Sequence, residues 1–263
     1  MPGEKTIRIS LGLYTAVVIA FFIYLPIAVI YVYSFNDIPF FIPEWRGFTL
    51  KWFIQGFSRK DVISSLINSL YVASLTTSIS MALAIPSAFY VVRGRGKIKD
   101  AYMLYLIIPF IIPWIIIGIS LYIFYWFAGI QKSLHTAILA HITYTIPLII
   151  TLVAPRLYSM NPDLENASMD LGATPIQTFR YVVFPQLYPA IVSAAIVAFV
   201  WSFDNFIISY YTLGAESTWP VWVFSVREIG RIFPVVMAVS SVIVTVSMII
   251  ITIIVRKGYV EIV

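Results

Sequence analysis

No cysteine occurs anywhere in the 263 residues. That excludes a disulfide framework, thiol chemistry and any cysteine-ligated metal, and it leaves the redox character of the compartment unread. Charge is almost as scarce: 11% of residues are Asp, Glu, Lys or Arg, while 60% are hydrophobic and mean hydropathy is +0.93. A soluble domain of this length cannot bury so much apolar surface, so the composition points to an all-α polytopic membrane protein. Histidine occurs twice, at His135 and His141. Six positions separate them, so they do not share a helical face and make a poor metal pair. His135 is expected at the external end of its span and His141 packed against a neighbouring helix. A nucleotide-binding motif is also missing, because Gly94 to Lys97 lacks the Gly-x4-Gly-Lys-Ser/Thr spacing of a phosphate loop. There is no low-complexity tract and no internal repeat. The net charge of +5 is no footprint for nucleic acid, since the bases sit at the ends of apolar runs, where they orient helices.

What is present is a series of long apolar runs. Lys5 and Arg8 precede a charge-free stretch from Ser10 to Asn36, too long for a signal peptide and without a small-x-small cleavage site. A retained first span is expected over residues 11–33, kinked at Pro26. Residues 37–60 mix acids, bases, Pro39 and Pro43 with Phe40, Phe41, Trp45, Phe48, Trp52 and Phe53, and read as an external segment at the membrane interface. The second span, 62–92, stops at Arg93-Gly94-Arg95-Gly96-Lys97-Ile98-Lys99, four bases in seven residues with no acid, which marks a cytoplasmic loop. The third, 101–130, carries Pro109 and Pro113 one turn apart and is expected to bend. After an external turn at Gln131-Lys132 come the fourth span, 133–155, a polar loop, 156–185, and the fifth span, 188–213. The external connection Gly214–Pro234 reads as re-entrant or interfacial around Trp219-Pro220-Val221-Trp222, and the sixth span, 235–255, closes at Arg256-Lys257. Six crossings put both termini, the basic loop and 156–185 on the cytoplasmic side, with Lys5, Arg8, Arg93, Arg95, Lys97, Lys99, Arg156, Arg180, Arg256 and Lys257. Residues 1–263 form one transmembrane domain.

The polar loop has an internal grammar. Asn161-Pro162 reads as an N-cap followed by proline at the first helical position. Asp163 and Glu165 follow in the first turn, where acids suit the positive end of the helix dipole. Leu164, Ala167, Ser168 and Leu171 fall at helical spacing, and Gly172 ends the helix because glycine takes the left-handed conformation at no steric penalty. Thr174-Pro175 starts a second helix that runs into Val182-Val183-Phe184-Pro185. This helix–turn–helix resembles the EAA loop of binding-protein-dependent ABC importer permeases, whose pattern is Glu-Ala-Ala, three residues, Gly, nine residues, Ile-x-Leu-Pro. Here Asn166-Ala167-Ser168 precedes Met169-Asp170-Leu171, Gly172, nine residues and Val182-Val183-Phe184-Pro185 without a gap. The motif Glu is Asn166, with an acid one place earlier at Glu165, and the second Ala is Ser168. The resemblance implies six transmembrane helices and a cytoplasmic coupling loop. It gives ATPase contact to Glu165, Asn166, Ala167, Ser168, Asp170, Leu171, Gly172, Ala173 and Pro185.

One acid lies inside an apolar stretch. From Tyr181 to Ala215 the only charge is Asp204. A carboxylate at membrane depth costs about 2.5–3.5 kcal/mol, so it faces either a polar cavity or a partner on a neighbouring helix or sister subunit. The segment Trp201-Ser202-Phe203-Asp204-Asn205-Phe206-Ile207-Ile208-Ser209 resembles the Ser-Phe-Asp-Asp/Glu-Phe segment of spermidine/putrescine-type permeases. Gly47-Phe48-Thr49 with Lys51-Trp52, Asp170-Leu171-Gly172-Ala173, and Trp219-Pro220 with Ser225 agree with the same subfamily, so the likeness runs over residues 25–256. Asn205 stands where that family carries a second acid. The implied substrate is a polyamine or similar small cation, held along a path that includes Asp204, Asn205, Trp201 and Tyr210; a sugar or other neutral solute is the alternative.

The resemblance further implies two ATPase subunits that bind ATP and Mg, a second permease subunit or a copy of this chain, and an external substrate-binding protein. This chain itself would be a non-enzymatic multi-pass protein of the plasma or inner membrane without its own cofactor. A secondary transporter would show repeats and several intramembrane charges. A channel subunit would need a ring of polar residues supplied by identical copies. A membrane-embedded enzyme would need His, Asp or Glu clustered within the spans.

Overall fold

A computed structural model describes residues 2–39, 42, 44–94, 96–227, 229 and 232–256. Phe40, Phe41, Pro43, Arg95 and Lys257, which entered the readings above, lie outside them, as does part of the 214–234 connection. The described residues fall into two compact units, those of 1–60 with 225–249 and those of 61–224 with 250–263.

In the first unit, α1 (Pro2–Phe35) is continuous through Pro26. The segment read as interfacial contains a short helix, α2 (Lys51–Ser58). Before it the chain folds back, pairing Asn36 with Phe48 in an isolated antiparallel bridge. Asn36 is the organiser of this fold-back. Its Nδ2 donates to Glu44 O at 2.6 Å, its Oδ1 accepts Arg46 N–H at 2.9 Å, and its carbonyl accepts the Trp52 indole N–H at 2.8 Å. A buried amide with both ends satisfied keeps an irregular backbone from carrying orphaned polar groups.

Most of the last helix belongs to the first unit, whereas the second unit holds the helices between residues 61 and 224. Its first, α3 (Lys60–Arg93), has Asp61 in its first turn and Arg93 in its last, each matched to the helix dipole. The expected third span is broken rather than merely bent: α4 (Lys97–Ile111) and α5 (Trp114–Phe127) meet at 99°. Pro109 stays inside α4. The break falls at Pro113, which excludes the residue before it from the helical region, and Ile112 and Pro113 both adopt extended ψ values, 131° and 133°. The fourth span runs past its expected end, as α6 (Leu134–Ser159) tolerates both Pro147 and Pro155. Next come α7 (Pro162–Asp170) and α8 (Pro175–Thr178), which passes through a π-helical turn, Phe179–Val183, into α9 (Phe184–Phe203). The expected fifth span, 188–213, is interrupted: α9 stops at Phe203, and α10 (Ile207–Thr212) follows as a separate helix.

The 214–234 connection, read as re-entrant or interfacial, has a helical core. It forms α11 (Trp219–Val226), with Trp219 and Trp222 buried and stacked at 5.2 Å. Within the second unit Trp222 donates its indole N–H to Asp61 Oδ2 at 3.1 Å, and the Trp219 N–H goes to Ser69 Oγ at 2.8 Å. The last helix is α12 (Phe233–Arg256).

Five of these helices are long and apolar enough to cross a bilayer, and α4 with α5 makes a sixth if the bent pair is one crossing. The main core of the second unit joins α3, α6 and α9 through Ala84, Ala88, Ile149, Val153, Leu157, Val183, Leu187, Ala194 and Ala198. Alanines on α3 and α9 let backbones approach closely, which is how packing alone holds helices together when lipid is as apolar as the core.

Candidate functional site

Two places in the second unit collect the residues singled out above. The first is the α7–α8 hairpin. Asn161 Oδ1 accepts the Asp163 N–H at 3.0 Å, and Pro162 occupies the first helical position. At the other end Gly172 has φ +92°. Its N–H donates to Met169 O at 2.9 Å, while the Ala173 N–H reaches Ser168 O at 3.2 Å. These two bonds form a Schellman closure, which satisfies carbonyls that a helix end would otherwise leave open. Thr174 and Gln177 then exchange caps: Thr174 Oγ1 accepts Gln177 N–H at 3.3 Å, and Gln177 Oε1 accepts Thr174 N–H at 2.8 Å.

The hairpin presents apolar side chains at its turn. Leu171 is 89% exposed and Ile176 79% exposed, and Asn166, Ala167, Asp170 and Pro185 are exposed as well. Ser168 is partly buried and ties the two arms together, its Oγ 3.1 Å from Thr178 Oγ1. Ala173 is also partly buried. Glu165 is turned inward, with its Oε1 2.8 Å from Arg93 Nη2 at the end of α3. The sequence gives no sign of that pairing, because the two residues are 72 positions apart.

The second place is the break after α9. Asp204 is exposed and closes α9, its N–H bonded to Val200 O at 3.0 Å, so it sits at a helix end rather than within a continuous span. Asn205 is buried, and its Oδ1 accepts the Ile208 N–H at 2.9 Å, capping α10. Short amide and carboxylate side chains compete with the helical ladder in this way, which explains an interruption made without proline or glycine. His141 of α6 braces the break from the side: its Nδ1 is 2.8 Å from Ser202 Oγ on α9 and its Nε2 2.9 Å from Ser209 Oγ on α10. Sequence reasoning placed His141 against a neighbour but missed the bridge, which the serines at positions 202 and 209 could have signalled.

The other path residues divide. Trp201 is partly buried, stacked on Phe110 at 6.3 Å and set edge-on to Trp114 at 5.3 Å. Tyr210 is half exposed on α10, with its ring against Phe206 and Phe224, both at 5.5 Å. Asp204, Asn205 and Trp201 are therefore neighbours along one chain turn, with Tyr210 on the following helix. His135 lies beside Tyr71, Nε2 3.3 Å from the phenol oxygen. No group of three or more His, Cys, Asp and Glu suited to a metal occurs among the described residues.

Known proteins agree with this architecture. Over 219 residues the chain is 28% identical to the putrescine transport system permease protein PotI of Escherichia coli strain K12, covering 80% of this chain and 77% of that one. The match to the spermidine/putrescine transport system permease protein PotC of the same strain is 28% over 233 residues, covering 87% and 86%. A crystal structure of the bacterial alginate ABC transporter in complex with an alginate pentasaccharide-bound periplasmic protein contains a chain with the same fold. That chain superposes with a TM-score of 0.72 at 14% identity, covering 98% of this chain and 96% of its own. Residues 75–258 match the profile of the binding-protein-dependent transport system inner membrane component. The chain belongs to that family: it is a membrane-spanning permease subunit of an ABC importer.

Proposed function

We propose that the subunit imports a polyamine or similar small cation and is driven through the α7–α8 hairpin by ATPase subunits. The observation that supports the drive is the pair Leu171 and Ile176, two large apolar side chains almost fully in the open at a rigid turn. At a turn in contact with water such a pair is an unfavourable surface unless a partner covers it. The hairpin runs without a gap into a spanning helix, Pro175–Phe203, so a push on the turn reaches the break at Asp204 along about 43 Å of helix.

In this reading two ATPase subunits hold ATP and Mg and grip the hairpins of this chain and of a second permease subunit, or of a second copy. Closure of the ATPases moves the hairpins together and shifts a two-state bundle from inward- to outward-facing. The size of the shift is set by how differently the partners bind the two states. An external binding protein delivers the solute, and the hairpin and both termini face the cytoplasm across the plasma or inner membrane.

The substrate class rests on the named relatives and on Asp204, an exposed carboxylate at a helix break where an ammonium can meet it. A neutral polyhydroxylated solute is the second reading, favoured by Asn205: its buried amide caps α10, leaving a single carboxylate at the break. Two experiments test the proposal. Leu171→Asp with Ile176→Asp should abolish co-purification of the ATPase from membranes; full retention defeats the docking role. Asp204→Asn should weaken putrescine uptake about ten- to hundredfold, the value of a charge-assisted bond. Unchanged putrescine uptake, or uptake of a sugar alone, moves the assignment to the neutral class.

A further inference from the structure

The inner end of α3 and the hairpin are joined by one polar contact whose geometry is more specific than a surface ion pair. Arg93 Nη2 lies 2.8 Å from Glu165 Oε1 and also donates to Met160 O at 3.2 Å. Met160 is the residue between α6 and the Asn161 cap, so the guanidinium holds α7 at two points, its first turn and the chain that enters it. Both charged side chains are about three-quarters buried, at 26% and 22% exposure, where solvent screens the pair less than it does at the surface. Glu165 also borders a cavity of about 210 Å³ lined by Phe89, Met169, Phe179 and Val183, so its surroundings are largely apolar.

The position of the acid is what aims it. Successive residues on a helix point about 100° apart. Asn166 is exposed, whereas Glu165, one place earlier, faces α3. On its other flank α7 is tied to α8 by the Schellman turn and the Ser168–Thr178 contact, and α8 continues into α9. The hairpin is thereby fastened to two membrane helices: to α9 through the chain itself and to α3 through Arg93.

We propose that Arg93 is a positioning residue that clamps α7 to the C-terminal end of α3 through Glu165 and the Met160 carbonyl, so that displacement of the hairpin moves α3 together with α9. This deepens the docking reading and rests on it for the source of the displacement, but the clamp itself lies within this chain and is measurable alone.

The absence of native cysteine permits a clean test. Spin labels are attached at Leu83→Cys, on an exposed face of α3, and Asp163→Cys, on an exposed face of α7, and their separation is measured by pulsed electron resonance. The measurement is made on the full chain alone and on its complex with the ATPase, with and without ATP. With Arg93 and Glu165 intact a single narrow distance is expected, the same in both nucleotide states. Arg93→Ala and the nearly isosteric Glu165→Gln should lose the single distance and make it depend on ATP, while Arg93→Lys, which keeps charge and donors, should restore it. If Arg93→Ala does not accumulate in the membrane, Glu165→Gln carries the test. Distances in Glu165→Gln as narrow and as ATP-independent as in the parent overturn the clamp. Failure of the ATPase to co-purify with the parent overturns the docking reading instead, and the nucleotide-free distances still decide the clamp.

Discussion

At the scale of single residues, Gly172 and His141 show how a side chain, or the lack of one, fixes local geometry. A Cβ built on Gly172 meets nothing within 4 Å, so there is no steric reason for glycine there. The reason is φ +92°, a conformation that costs an ordinary L-residue about 1–2 kcal/mol and a β-branched one more. Gly172→Val is expected to open the Schellman closure, raise hydrogen exchange at Gly172 and Ala173, and reduce ATPase co-purification. Gly172→Asn, whose side chain tolerates the left-handed region, should retain most of both. Equal loss in the two variants would mean that bulk at the turn, not backbone conformation, is what matters. His141 is fully buried and bonded at both ring nitrogens to serines on either side of the α9–α10 break. His141→Ala should destabilise the purified protein by about 1–2 kcal/mol because two buried hydroxyls lose their partner. The triple change His141→Ala, Ser202→Ala, Ser209→Ala should recover part of that in a thermal melt, since no orphan remains.

At the scale of elements, close approaches locate where the helices cannot be moved apart. A Cβ on Gly118 of α5 would come within 2.9 Å of Tyr211 Cδ2, an atom of a rigid ring that must shift as a whole, and 3.5 Å from the α10 backbone at Ile207 O and Ile208 Cα. A Cβ on Gly214 would instead run into the backbone carbonyl of Lys132, which cannot yield. Gly118→Ala is therefore expected to destabilise, because the Tyr211 ring must move, and Gly214→Ala to destabilise more, by about 1–3 kcal/mol, the usual penalty of overpacking; the ranking of the two melting temperatures checks it. The sequence revealed those parts of the molecule that depend on neighbours along the chain. Apolar runs gave the long helices but not where two of them break, and Asn161-Pro162, Gly172 and Thr174-Pro175 gave the hairpin, because capping and left-handed turns are local chemistry. Other features were hidden, since each depends on groups brought together from afar: Arg93 on Glu165, Trp222 on Asp61, His141 on the two serines. The break at Asp204 was hidden for a different reason. Apolar residues continue on both sides of it, so periodicity does not register that Asn205 has taken over a backbone acceptor's work. The π-helical turn at Phe179–Val183 has no sequence marker that we can name.

At the scale of the whole molecule, the arrangement of helices across the bilayer can be tested directly. α6 is 26 residues long, about 39 Å, enough to cross the roughly 30 Å hydrocarbon core, so Lys132 before it and Asp163 after it are expected on opposite sides. Charge distinguishes the sides. Arg93, Lys97 and Lys99 fall within seven residues that hold no acid, between the end of α3 and the start of α4. An excess of bases in short segments between spans holds them at the cytoplasmic face, so residues 93–99 and the hairpin are expected inside. With no cysteine in the background, a single Lys132→Cys should react with a membrane-impermeant maleimide in intact cells. A single Asp163→Cys should react only after the membrane is permeabilised. Reaction of Asp163→Cys in intact cells would put Leu171 and Ile176 outside, beyond reach of any cytoplasmic ATPase, and would require another explanation for their exposure. If both sites react before permeabilisation, α6 does not cross, and the six-crossing arrangement falls with it.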